Sequence, residues 1–356
     1  MRILIANPFG IGDVLFSLPL VYALREAYPK GFLGYLSNRR TQELVSACFF
    51  VDRRLVFEKD EFRTAWGRSK RAGAQLLWNL IRSIQQLRFD VLVDLSLGWH
   101  YGLAAQLAGI PKRVGFDFRE RGRFLTDRLP ILGFHDQPVA EYYLDLLPFL
   151  GLSKPHPLRS GLELPATVLP QAQAYLKSHG IHRHPRLVGM VPGGGASWGP
   201  RAVFKQWSPQ AFAQVADHVG QRYAAHVLLI GDTQETSLCQ TVAQAMKSKP
   251  TCVVDVSSLL LLAGLLQRCT LVIGNDGGPM HLAASVGVKT VTLFGPVDAA
   301  VYRPLPNGTS HRVVAKGLAC RPCYQRFRFP PCPWDNACLK QLTATEVIEV
   351  VDQQLR

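Results

Sequence analysis

The chain has 356 residues, 47% apolar and 19% charged, a balance that excludes a disordered protein; at about 150 residues per domain it has length for two. Forty Lys and Arg against 26 Asp and Glu leave a net charge of +14, which favours an acidic partner: nucleic acid, a phosphorylated small molecule or an anionic lipid surface. The longest apolar run, Leu259–Leu266, is far short of the roughly 20 residues of a membrane span, and Pro8, Gly10 and Asp13 come too early for a signal peptide, so the expected location is cytoplasmic.

Short apolar runs alternate with helical stretches, the pattern of parallel sheets with crossover helices. Arg2–Ala6 reads as a buried strand, Asp13–Tyr28 as a helix ended by Pro29, and Phe32–Leu36, Arg54–Phe57 and Val91–Leu95 as strands. A long basic amphipathic helix is expected over 62–87 and a shorter one over Tyr101–Ala108. Pro155, Pro157, Pro165 and Pro170 mark a linker, after which the rhythm restarts with strands at Leu187–Val191, His226–Ile230, Cys252–Val256, Leu271–Ile273 and Thr290–Phe294. Helices are expected at Pro209–Arg222, Leu259–Arg268 and Thr343–Leu355. No internal repeat has a fixed period. The expected architecture is α/β, with two Rossmann-like domains facing each other across a cleft. Their expected bounds are 1–165 and 166–342, the latter carrying a Cys-rich loop at 320–338, followed by a C-terminal helix at 343–356.

Four strand-to-helix turns carry candidate chemistry. The first strand runs into Asn7-Pro8-Phe9-Gly10-Ile11-Gly12-Asp13, where glycines allow a tight turn beside a helix N-terminus that favours anions. The spacing is Gly-x-Gly-Asp, a poor dinucleotide fingerprint. Asp13 reads either as a helix-capping carboxylate or as a base at the carboxyl end of the strand, where open α/β sheets bind ligands. In the second half, Val191-Pro192-Gly193-Gly194-Gly195 follows a strand and precedes Lys205, a plausible diphosphate cradle whose spacing disfavours a P-loop. In Gly231-Asp232-Thr233-Gln234-Glu235, Thr233 is placed to cap the next helix, and Glu235 reads as a ribose ligand or as a helix N-terminal charge. The strongest signal is Gly274-Asn275-Asp276-Gly277-Gly278-Pro279-Met280-His281, which sets a carboxylate, glycines and an imidazole at one turn.

Taken in order, Gly12-Asp13, Pro192-Gly193 with Lys205-x-Trp207, Gly231-x-x-x-Glu235, Asn275 to Ala284 and Phe294-Gly295-Pro296 resemble glycosyltransferase family 9, the ADP-heptose lipopolysaccharide heptosyltransferases, over nearly the whole chain. The resemblance implies a GT-B fold with acceptor bound by the N-terminal domain and donor by the C-terminal one. It also implies inversion at the anomeric carbon with no catalytic metal or other cofactor. It makes Asp13 the general base and Lys205 the group that stabilises the diphosphate leaving group. Glu235 and Asp276 would contact nucleoside or sugar, and Gly12, Gly193, Gly194, Gly277, Gly278 and His281 would line the binding pockets. Many members carry Ser or Thr where this chain has Gly277, so a hydroxyl contact to the donor is lost here. The implied partners are ADP-heptose and the anionic lipopolysaccharide inner core, with peripheral contact at the inner face of the inner membrane. A protein acceptor such as an autotransporter, and a catalytically silent nucleotide-sugar-binding module, are the alternatives. No motif supports nucleic-acid binding.

Residues 53–88 hold nine Lys and Arg against three acids, and Lys112 to Arg128 hold six more basic residues; these are suited to an anionic acceptor or are solvated faces. Phe62, Trp66, Leu76, Leu77, Trp78 and Leu80 are expected to pack in the core, with an interfacial patch as the alternative. Cys48, Cys239, Cys252 and Cys269 are expected as reduced core thiols. Cys320-x2-Cys323-x8-Cys332-x5-Cys338, in a Pro-rich stretch read as loop, has the spacing of a structural zinc or iron site, with free thiols and disulfides as alternatives. Comparable clusters occur in part of the family, where an autotransporter-glycosylating branch uses one for iron.

Overall fold

The computed structural model describes residues 1–306 and 308–356. The chain forms two compact units, Met1–Arg159 and Ser160–Arg356.

The first unit runs β1 (Arg2–Ala6), α1 (Ile11–Phe16), α2 (Leu18–Ala27), β2 (Phe32–Ser37), α3 (Gln42–Ala47), β3 (Arg53–Val56), α4 (Lys59–Arg68), α5 (Lys70–Gln86), β4 (Val91–Asp94), α6 (His100–Leu107), β5 (Lys112–Phe118), β6 (Asp127–Ile131) and α7 (Val139–Leu144). The second runs α8 (Val168–Ser178), β7 (Leu187–Val191), α9 (Pro209–Tyr223), β8 (His226–Ile230), α10 (Thr236–Ala245), β9 (Thr251–Val253), α11 (Leu259–Gln267), β10 (Leu271–Asn275), α12 (Gly278–Ser285), β11 (Lys289–Leu293), α13 (Ala299–Tyr302), β12 (His311–Val314), α14 (Ala337–Lys340) and α15 (Ala344–Leu355).

The strand orders are β3-β2-β1-β4-β5-β6 and β12-β11-β10-β7-β8-β9, every pair parallel. Numbered within its own unit, each sheet has the doubly wound order 3-2-1-4-5-6, so the repeat absent from the sequence exists in topology. Winding reverses between β1 and β4 in one sheet and between β7 and β10 in the other. Ligands of open α/β sheets bind beyond the carboxyl ends at such reversals. The central strands are buried on both faces, which explains their unbroken apolar runs: Ile3, Leu4, Ile5 and Ala6 are all fully inaccessible.

The helix expected over Asp13–Tyr28 is two helices. They part at Ser17, whose hydroxyl bonds Val14 O and the Tyr35 hydroxyl, both at 2.7 Å. The one expected over 62–87 is also two. Ser69, in extended conformation (φ −154°), ends α4 and caps α5 by accepting from Ala72 N. The expected packing of that hairpin is corrected as well. Leu80 is buried, but Trp66, Leu76 and Trp78 are 39%, 37% and 54% exposed, because α4 buries none of its side chains and α5 buries only Gly73, Leu80, Ile81 and Ile84. The C-terminal helix α15 belongs to the second unit: Val347, Val351 and Leu355 join its core, and Asp352 bonds His218 and Tyr223 of α9. Cys48, Cys239 and Cys269 are buried free thiols, while Cys252 is only half-buried.

Candidate active site

Each unit gathers its polar groups at its own winding reversal. In the second, β7 ends at Val191 and turns through Pro192–Gly195, and β10 ends at Asn275 and leads into α12. Asn275, inaccessible to solvent, ties the two turns together. Its Nδ2 donates to Pro192 O at 2.7 Å and to Gly193 O at 3.3 Å, and its Oδ1 accepts from Trp207 N at 3.2 Å. Trp207 is fixed in turn by its indole N–H on Leu342 O at 2.8 Å. The glycines serve close approach: a methyl group on Gly193 would overlap the Glu235 carboxylate, and one on Gly194 the carbonyl of Ala202.

This frame brings Lys205 and Asp276 together across 71 positions of sequence. Lys205 Nζ lies 2.7 Å from Asp276 Oδ2, both side chains 6% exposed, and His281 Nε2 is 3.7 Å from Asp276 Oδ1. Burial pushes the Asp276 carboxyl up, but the Lys205 ammonium and then His281 outweigh it and hold the group below the usual carboxylate range. A buried ammonium, a carboxylate, an imidazole and a glycine turn thus sit at one reversal. That is a pocket chemistry for a ligand with anionic oxygens, with Lys205 as the cation. Gly277 and Gly278 form the entry to α12, Gly277 as its N-cap.

Glu235 is part of a capping box rather than a free ligand. Asp232 Oδ1 accepts from the amides of Gln234 and Glu235, and Glu235 Oε2 accepts from Asp232 N at 3.3 Å. The cap is therefore Asp232, not Thr233. Glu235 still abuts the Gly193 turn while serving its own helix.

In the first unit, Asp13 lies in the first turn of α1, half-buried. Its N-cap is Gly10, so Asp13 is not the capping residue. The turn is clamped by buried Asn7, whose Nδ2 donates to Asp13 O at 3.0 Å, and by Asn38, whose Nδ2 donates to Phe9 O at 2.7 Å. Gly12 precedes Asp13 within the helix. Beside this turn, in register with Ala6 of β1, β4 ends in Asp94, which sequence reasoning missed. Asp94 is 2% exposed, and burial pushes its carboxyl up to about 6, with the Ser96 hydroxyl and amide and the Gly102 amide offsetting part of that rise.

The cysteine cluster does not form the expected cage. The thiols are free, and Cys338 lies on α14 rather than on loop. Cys323 Sγ donates to Cys320 O at 2.9 Å, and Cys332 Sγ accepts from Asn336 N at 3.3 Å. Burial first, then the neighbouring thiols of Cys320 and Cys332, push the Cys323 thiol up. Among the described residues no three His, Cys, Asp or Glu side chains are grouped to hold a metal ion. Among the described residues, too, no helix is long and apolar enough to cross a membrane.

The profile of glycosyltransferase family 9 (heptosyltransferase) matches residues 77–329. Lipooligosaccharide heptosyltransferase 2 of Campylobacter jejuni is 25% identical over 372 aligned positions, covering 100% of this chain and 99% of that protein. Two solved structures share the fold. A glycosyltransferase family 9 protein from Veillonella parvula has TM-score 0.81 at 23% identity, covering 99% of this chain and 97% of its own. The ADP-heptose lipopolysaccharide heptosyltransferase II of E. coli has TM-score 0.76 at 21% identity, covering 100% and 98%. The two parallel six-stranded sheets are those of a GT-B fold. A match over well more than half its length makes the chain a member of glycosyltransferase family 9, the heptosyltransferases, and hence a transferase.

Proposed function

We propose that the protein transfers a heptose from ADP-heptose to the inner core of lipopolysaccharide with inversion. The observation that carries this reading is the buried Lys205–Asp276–His281 group against the Gly193–Gly194 turn. It offers one cation and backbone N–H groups to a ligand with phosphate oxygens. In the reaction an acceptor hydroxyl oxygen attacks the anomeric carbon and its proton passes to the Asp13 carboxylate. The bond from that carbon to the β-phosphate oxygen breaks, and its electron pair leaves with ADP. Charge grows on the departing diphosphate in the transition state, so a preorganised ammonium there lowers the barrier. The diphosphate is a good leaving group and needs little protonation, so one carboxylate base suffices. No resident cofactor takes part in these steps. Glu235, Asp276, Gly277, Gly278 and His281 would surround nucleoside and sugar, and Gly12 would adjoin the acceptor.

The first unit suits an anionic acceptor. Residues 62–89 hold Arg63, Arg68, Lys70, Arg71, Arg82 and Arg88 and no acid. Arg71, Trp78 and Arg82 recur on one exposed stripe of α5, an arrangement that fits a lipid headgroup surface at the inner face of the inner membrane. Incubation with ADP-heptose and heptose-deficient lipopolysaccharide, read by mass spectrometry, should show a single added heptose. Asp13→Asn should slow that transfer by about 100-fold or more, as loss of a general base does, with ADP affinity kept. Transfer to a protein and not to lipopolysaccharide would move the acceptor to the autotransporter alternative. Turnover of Asp13→Asn within a few-fold of wild type would remove Asp13 as the base.

A further inference from the structure

We propose that Trp198 positions the Lys205 ammonium for the diphosphate, and that the cysteine-rich loop acts on the site by holding Trp198 in place. The inference rests on the donor reading above and assigns two positioning residues, Trp198 and Tyr324.

Lys205 has a flexible stem, and two partners fix its ammonium. Asp276 Oδ2 is one, at 2.7 Å. The other is the indole face of Trp198, whose centroid lies 4.6 Å from Nζ. The two differ in what they do when a diphosphate arrives. A carboxylate occupies the ammonium as an acceptor and competes with phosphate oxygens. A ring face stabilises the cation without offering an acceptor oxygen, so Lys205 keeps it when phosphate becomes its partner.

Trp198 lies in the 3-10 segment Ala196–Lys205, interrupted at Gly199 (φ 54°, ψ −135°), and its ring is braced from outside that segment. Tyr324 meets it edge-on at 4.9 Å and 60°, and Phe329 at 5.9 Å and 86°, both favourable aromatic geometries. Phe329 also packs on Phe204, next to Lys205, at 5.4 Å. The loop therefore touches both ends of the segment that carries the lysine.

The loop is anchored to the sheet. The amides of Cys323 and Tyr324 both donate to Pro296 O, at 2.9 and 3.1 Å, and Arg321 donates to the carbonyls of Gly295 and Lys316. Gly295 and Pro296 follow β11, which pairs with β10, and β10 leads directly into Asp276. Both partners of the ammonium thus hang from adjacent strands of one sheet.

The test is calorimetric titration with AMP and with ADP, because the ratio of their affinities reads the β-phosphate contact. Wild type, Trp198→Leu, Trp198→Phe and Tyr324→Leu are compared. Trp198→Leu and Tyr324→Leu should lower the ADP preference by about 3- to 10-fold, the scale of one cation–π contact, with AMP affinity held within about two-fold. In transfer assays kcat should fall with that ratio while KM for acceptor stays. Trp198→Phe, which retains a ring, should recover most of the preference. An unchanged ratio in the leucine variants overturns the proposal, and so does an equal loss of AMP and ADP affinity, the mark of a structural role. Tyr324→Leu, which leaves the segment itself intact, decides the matter should Trp198→Leu not fold. Wild type that binds neither nucleotide refutes the donor reading and this inference with it, whereas ADP binding with an unaltered ratio refutes the inference alone.

Discussion

Replacing Lys205 by Met keeps the length of the side chain and removes its charge, leaving Asp276 buried opposite an apolar group. Removing one partner of a buried pair costs about 3–5 kcal/mol, because the other charge stays behind without water. His281 Nε2, 3.7 Å from Asp276, offsets part of that, which places the expected loss near the lower end, about 3 kcal/mol. The loss carries a pH signature. In the native protein the Asp276 carboxyl is held low, so its contribution is present above the unfolded value near 4 and disappears only as pH falls through the depressed folded value. In the variant the main opposing charge is gone, burial lifts the carboxyl above its unfolded value, and stability then falls as pH rises through that range. The gap in Tm between native and variant protein should be open already near pH 4.5, where the native contribution is present, and should widen to about 6–12 °C at pH 8 as the variant's buried carboxyl ionises, taking about 2–4 °C per kcal/mol for a unit of this size. Thermal melts at pH 4.5, 6 and 8 followed by circular dichroism measure it. A gap independent of pH, or one under about 2 °C at pH 8, would refute the argument that the pair is buried and coupled.

Three further outcomes follow from the same geometry. Asp94 is an acid whose folded value, about 6, lies above its unfolded one, so its charged form opposes folding as pH rises from about 4 to 6; Asp94→Asn should leave stability unchanged near pH 3.5 and raise it by about 2–3 kcal/mol at pH 8, measured by urea unfolding. Gly194→Ala should damage folding and ADP binding more than Gly193→Ala, because the first methyl meets a backbone carbonyl and the second only the end of the Glu235 side chain; equal effects in paired melts and titrations would contradict this. Elemental analysis of protein purified without chelator should find metal well below one equivalent, and a stoichiometric metal lost on mutating Cys323 would overturn the reading of free thiols.

Much of this architecture was legible in the chain, for identifiable reasons. Strands buried on both faces, such as Arg2–Ala6, leave unbroken apolar runs, and glycine turns after them mark both winding reversals. Three strands were not legible, while the edge strands β3 and β9 were: β5 opens on Lys112-Arg113, β6 alternates half-buried and exposed positions through Asp127, Arg128 and Pro130, and β12 begins His311-Arg312. The helix breaks at Ser17 and Ser69 rest on single residues that periodicity does not register. Asp276, Lys205 and His281 were readable as candidates, but their pairing was not, since Asn275 and Trp207 assemble it across distant sequence. Asp232-x-x-Glu235 is a capping-box spacing, so the role of Glu235 at its helix was available from sequence and was read only as a charge effect. Asp94 carries no motif; its one signal is an acid closing an apolar strand beside the first glycine turn.

The measurement that bears most directly on the central claim is calorimetric titration of the purified protein with ADP, UDP, GDP and CMP. Clear selectivity for ADP is expected, weakened in Lys205→Met. Selectivity for another nucleotide would contradict an ADP-heptose donor, and an ADP affinity untouched by Lys205→Met would contradict the place given to the buried ammonium.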